Sequence, residues 1–140
     1  MSAIFKKLLS LLAPRRREYL TIDQEFNILD TSIGVQRFAD CPHEVMKGKD
    51  VRIGFPELIG LEEILLDIVQ GKQANFELKG LGRFSPTGSA VYFDIYVIKN
   101  QFEKSFINKL IVFLEDVTEQ MVLEQNLVQA SNENSLLLSK

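Results

Sequence analysis

The chain holds one cysteine, one histidine and no tryptophan in 140 residues. With Cys41 alone no internal disulfide can form, and such sparing use of thiols fits a reducing cytoplasm. With His43 alone, no Ser, His and Asp arrangement exists that does not lean on that one ring, and no Cys and His cluster has metal-ligand spacing. A phosphate-cradling loop is missing too: Gly80-Leu81-Gly82 lacks the third glycine and the helix that must follow it. Glu62, Glu63 and Asp67 share the polar face of a predicted helix, the usual solvated side. No apolar run approaches the ~20 residues that span a bilayer. These absences argue against an enzyme: no catalytic residue and no metal ligand is expected.

What is present is a core and an uneven charge. A hydrophobic content of 46% over 140 residues is enough for one globular domain with a helical extension. Of the 16 basic residues, Lys6, Lys7, Arg15, Arg16 and Arg17 fall in the first 17 positions with no acid among them, so the body carries the other 11 against all 19 acids. An acidic body argues against nucleic acid as a partner, because phosphate binding needs a basic face. Within the basic segment, Phe5, Leu8, Leu9 and Leu12 share one helical face, Ser2 can cap the start, and Pro14 with the arginine triplet ends it. Lys6 and Lys7 interrupt the apolar stretch, so this is not a signal peptide. Its apolar stripe is expected to pack on the domain or on a dimer mate; an in-plane membrane anchor is the alternative.

The body reads as strands and helices in the order β-β, several short helices, β-β-β, helix. Tyr19 to Asp23 and Phe26 to Asp30 flank the turn Asp23-Gln24-Glu25. Pro42, Gly48, Gly54, Pro56 and Gly60 punctuate the short helices, and the spacing over Leu61 to Gln70 predicts a longer one stopped by Gly71. Asn75 to Lys79, Ala90 to Lys99 and Leu110 to Glu115 alternate as strands. Hairpin-like links among the last three imply an antiparallel sheet with helices over one face, an α+β fold. From Gln120 onward, spacings of three and four pick out Gln120, Leu123, Leu127, Ala130, Asn134 and Leu137, an a/d seam that predicts a parallel two-stranded coiled coil. The alternative is that Leu123 and Leu127 pack onto the domain's own sheet. With no Gly or Pro stop before Lys140, the chain is expected to continue into a longer protein.

Three places resemble a PAS domain, the sensor fold of histidine kinases and nucleotide cyclases: the hairpin with Phe26-Asn27-Ile28-Leu29-Asp30, the Gly48-Lys49 step followed by Phe55-Pro56-Glu57-Leu58, and Asp116-Val117-Thr118, similar to that family's Asp-Ile-Thr signature with Val for Ile. The resemblance covers about residues 18–118, between an N-terminal amphipathic helix (1–17) and a C-terminal signalling helix (119–140). It implies a five-stranded sheet and a transmission role for Asp116, Thr118 and Glu119 where the last strand enters the output helix. Physically, Asp116 and Thr118 can satisfy free N–H groups at the helix start.

The faces of the strands carry the remaining expectations. Phe38, Phe55, Ile64, Ile68, Phe76, Phe93, Ile95 and Val112 are expected to line a pocket or to fill the core, and a filled core is the preferred reading. Haem-binding relatives place a His on the long helix and flavin photosensors a Cys in an Asn-Cys-Arg motif; Leu61 to Gln70 has no His and Cys41 lacks that context, so no cofactor is expected. The opposite face, with Tyr92, Tyr96, Ile111 and Phe113, is too apolar for water. The N-terminal helix or a second subunit is its natural cover, so these four residues, Phe5, Leu8, Leu9, Leu12, Leu123 and Leu127 are the dimer-interface candidates. The resemblance thus implies a cytoplasmic sensory and homodimerisation module feeding an output domain of the same chain, most simply a histidine kinase, with a nucleotide cyclase or a small-ligand or haem sensor as alternatives.

Overall fold

The computed structural model describes residues 17–85, 87–100 and 108–138. The helix expected before Arg17, with Phe5, Leu8, Leu9 and Leu12, lies outside them. Arg17 itself is not part of that helix: it opens β1, opposite Glu115.

Five strands form one antiparallel sheet in the order β2-β1-β5-β4-β3. They are β1 (Arg17–Ile22), β2 (Ile28–Thr31), β3 (Asn75–Phe84), β4 (Ala90–Lys99) and β5 (Leu110–Asp116). The first and last strands of the chain's body are thus neighbours, which places the exit of β5 in the middle of the sheet. Between β2 and β3 lie 3₁₀ turns at Val35–Phe38, Pro42–Glu44 and Pro56–Leu58, a single helical turn α1 (Val51–Gly54) and the longer helix α2 (Glu62–Val69). Helix α3 (Thr118–Leu138) follows β5.

Alternation along the strands decides what the sheet buries. Leu20, Ile22, Phe93, Ile95, Val97, Leu110, Val112 and Leu114 point to the helical side and are buried there with Phe38, Phe55, Leu58, Leu65 and Ile68. The intervening loop is tied down by backbone pairing. Ile28 donates to the Lys49 carbonyl at 2.8 Å and Gly48 donates to the Ile28 carbonyl at 2.7 Å, with Gly48 at φ +90°. Asp50 then caps α1 through the Arg52 N–H at 2.9 Å, and the Arg52 side chain bridges Asp50 and Glu62 while lying 4.8 Å from the centroid of the Phe26 ring. That bridge holds the Asp50 carboxyl below its ordinary range.

Strand β3 runs to Phe84, beyond the Lys79 end that its alternation predicts. The register shifts between Leu78 and Leu81, and Gly80 takes φ +70° inside this bulge while its N–H donates to the Asp94 carboxylate at 2.8 Å. The glycine just past the predicted strand end therefore sits in a bulge that lets the ladder continue.

Candidate functional site

Strand β5 does not end in a loop. Asp116 closes it opposite Phe93, and α3 begins two residues later at Thr118. The Asp116 carboxylate accepts from the Thr118 N–H at 2.9 Å and from the Thr118 hydroxyl at 2.6 Å. The first of these satisfies a helix-start donor that has no intrahelical partner. The Thr118 hydroxyl oxygen accepts from the Tyr92 N–H at 3.0 Å, and the Val117 N–H donates to the Tyr92 carbonyl at 2.8 Å. Both backbone groups of Tyr92 thus serve the joint. The sequence assigns both side chains to the helix start; the structure gives that task to Asp116 and uses Thr118 to fasten α3 to β4. Glu119, the third residue of the expected junction, is exposed on the first turn of α3.

A residue that sequence reasoning passed over completes the site. Arg37, on the first 3₁₀ turn, places Nη1 3.1 Å from the second Asp116 oxygen and its guanidinium 4.3 Å from the centroid of the Phe38 ring. Phe38 meets Phe93 with ring centroids 5.3 Å apart. Because Phe93 adjoins Tyr92, the contacts close a circuit: Phe93, Phe38, Arg37, Asp116, Thr118, Tyr92. No local pattern marks Arg37, since its partner is distant in the chain. Burial works to raise the Asp116 carboxyl, but the hydrogen bonds from Thr118 and the Arg37 charge outweigh it and the group sits below its ordinary range.

A second guanidinium, that of Arg83, lies 5.2 Å from the centroid of the Phe93 ring and is clasped by both oxygens of Glu57. The aromatic pair at the centre of the core is therefore flanked by two arginines, each neutralised by a carboxylate from another element.

No family model and no curated protein matches this chain. Solved structures do match. The PAS domain of BvgS from Bordetella pertussis has a TM-score of 0.51 at 17% identity, covering 93% of this chain and 96% of that one. A sensory box sensor histidine kinase from Vibrio cholerae has a TM-score of 0.50 at 16% identity, covering 81% of this chain and 89% of that one. The chain folds as a PAS domain.

Within the PAS fold the expected core residues are placed as follows. Phe38, Phe55, Ile68, Phe93, Ile95 and Val112 are buried, and Phe76 is half-buried against them. Ile64 is only half-buried and stands outside the cluster; Leu65, one position on, takes the inward place on α2. His43 is exposed on the turn Pro42–Glu44 and Cys41 is half-buried beside Asp40. Among the described residues no three His, Cys, Asp or Glu side chains gather where they could hold a metal.

The outer face of the sheet presents rows of paired residues. Tyr19, Phe113, Tyr96 and Glu77 form one row across β1, β5, β4 and β3, and Arg17, Glu115 and Asp94 form the next. Tyr19 is 42% exposed and Ile111 9%, while Tyr92 meets Phe84 edge-on at 6.2 Å. Between these rows lies an open groove of about 580 Å³, lined by Arg17, Glu77, Lys79, Asp94, Tyr96, Phe113 and Glu115.

Helix α3 leaves the domain with one face engaged. Val117 is buried and Met121 reaches to within 4 Å of where a Gly80 side chain would begin. At 100° per residue, Leu123 and Leu127 lie well round the helix from these two. They are 60% and 63% exposed, so the domain's own sheet does not cover them. No helix among the described residues is long and apolar enough to cross a membrane.

Proposed function

We propose that this chain is a cytoplasmic PAS sensory and homodimerisation module that passes a conformational signal through α3 to an output domain. The observation that carries the reading is the closed circuit from the aromatic core to the start of α3. A shift of Phe38 or Phe93 displaces Arg37 and β4 together, and both are fastened to the first residues of a helix whose apolar seam faces outward. PAS domains are sensory modules, and the chemistry of this site is positional: charge-assisted hydrogen bonds hold a helix.

The output is read as a histidine kinase, supported by the likeness to the Vibrio cholerae protein, a sensory box sensor histidine kinase. The core is read as filled by its own side chains. Freshly purified protein is therefore expected to show no Soret or flavin band in its absorption spectrum, and either band would replace this reading with that of a cofactor-bearing sensor.

Pairing of α3 is the testable half of the relay. The exposed Leu123 and Leu127, with Asn134 at an a position, fit a two-stranded seam. Sedimentation equilibrium of the full chain should give a dimer, and the double substitution Leu123→Glu, Leu127→Glu should return it to monomer without loss of fold, because neither side chain packs on the domain. A wild-type monomer at high concentration would remove α3 pairing from the mechanism.

A further inference from the structure

Helix α3 carries carboxylates and no compensating base. From Thr118 to Leu138 its ionisable residues are Glu119, Glu124 and Glu133, with no Lys, Arg or His among them. Glu119 and Glu124 are exposed, as are Gln120, Leu123 and Leu127, whereas Met121 turns back toward Gly80. With Gln120 and Leu127 at a and Leu123 at d, Met121 falls at b, on the back of the helix, so the domain does not cover the seam or its flanks. The flanks are then fixed: Glu119 takes position g and Glu124 position e. In a parallel two-stranded pair a g side chain meets the e side chain of the next heptad in the other helix. Glu119 of each copy therefore faces Glu124 of the other, and the two-fold axis repeats the contact on both sides of the seam.

We propose that this carboxylate contact holds the homodimer below its full strength and makes closure of the seam beside the joint depend on ionic screening. It rests on the pairing of α3 read above. Like charges at facing g and e positions oppose association, and both groups lie in water, where salt screens them. Their place in the helix gives the repulsion a use. Thr118, fastened to β4 and to Asp116, directly precedes Glu119, so the seam is weakest where the joint delivers its movement. In the next heptad the corresponding residues are Asn126 and Ser131, both uncharged. A small displacement at the joint thus acts on the layer that least resists opening, while the layers beyond keep the two copies together.

Sedimentation equilibrium of the full chain tests the contact with three variants. Glu119→Lys and Glu124→Lys each turn repulsion into attraction, and each should tighten the dimer about fivefold or more at low salt. Agreement between the two sites separates the contact from the preference of a helix start for an acid at position 119. The double substitution sets lysine against lysine, and its dimer should fall back to about the wild-type strength. Raising NaCl from about 0.05 M to about 0.5 M should tighten the wild-type and double-variant dimers and loosen those of the single variants. A double variant that associates more tightly than either single one overturns the proposal, because net charge alone is then responsible. Single variants no tighter than wild type overturn it as well. A wild type that stays monomeric together with all three variants removes the pairing of α3 and this contact with it, whereas a dimer with the wrong charge pattern removes the contact alone.

Discussion

Replacing Phe38 with alanine should lower stability by about 3–5 kcal/mol, the usual cost of removing a fully buried aromatic whose site cannot collapse. For a domain of this size that corresponds to a fall in Tm of about 10–20 °C. The reasons for the upper range are specific. Phe38 is buried completely, meets Phe93 at 5.3 Å and supports the Arg37 guanidinium at 4.3 Å. Truncation therefore opens a cavity, removes an aromatic contact and frees a charged side chain from its platform at once. Thermal and urea denaturation measure the loss directly. A drop of less than about 1 kcal/mol would mean that the core closes over the gap, and that Phe38 is not the link between core and joint.

Much of this fold was legible because its alternation is strong. Along β4, Phe93, Ile95 and Val97 are apolar and buried while Tyr92, Asp94 and Tyr96 are half-exposed, as a period of two requires. The helix predicted over Leu61 to Gln70 appears as Glu62–Val69, and Asp116-Val117-Thr118 marked the strand-to-helix joint. Where the expectation departs from the structure, the deciding partner is far away in sequence. Arg17 reads as the end of a basic tail until Glu115 is placed opposite it. The strand from Asn75 reads as ending at Lys79 until the Asp94 carboxylate takes the Gly80 N–H within a bulge. Ile64 has the right spacing for the inner face of α2, but the helix is rotated so that Leu65 faces the core. Arg37 and Arg83 carry no pattern at all, because an arginine earns a structural role only from the carboxylate and the ring that tertiary folding brings to it. A joint is visible in a motif; what the joint is wired to is a property of the fold.

Asp116 is where that wiring can be cut with least damage to the core. Its carboxylate holds the Thr118 N–H, the Thr118 hydroxyl and Arg37. Asp116→Ala should cost about 2–3 kcal/mol, the sum expected for a lost helix-start acceptor and a charge-assisted contact. Asp116→Asn keeps an acceptor for Thr118 and should lose less. The pH dependence separates charge from shape. The folded-state carboxyl titrates below its ordinary value, so it stabilises the fold fully above the unfolded value of about 3.9, and this contribution fades as pH falls through the lower folded value. The difference in stability between wild type and Asp116→Asn should therefore be constant from neutral pH to about pH 5 and shrink below about pH 4. Hydrogen exchange reports the mechanical consequence. In Asp116→Ala the amides of Tyr92 and Thr118 and the first turn of α3 should exchange faster, while those of Ile95 and Val112 deep in the sheet change only by the global loss of stability. Adding Arg37→Ala to Asp116→Ala should cost little more than Asp116→Ala alone, because the link between the two side chains is already gone. Full additivity of the two substitutions would show that core and joint are independent, and a signal entering at Phe38 would then have no route to α3.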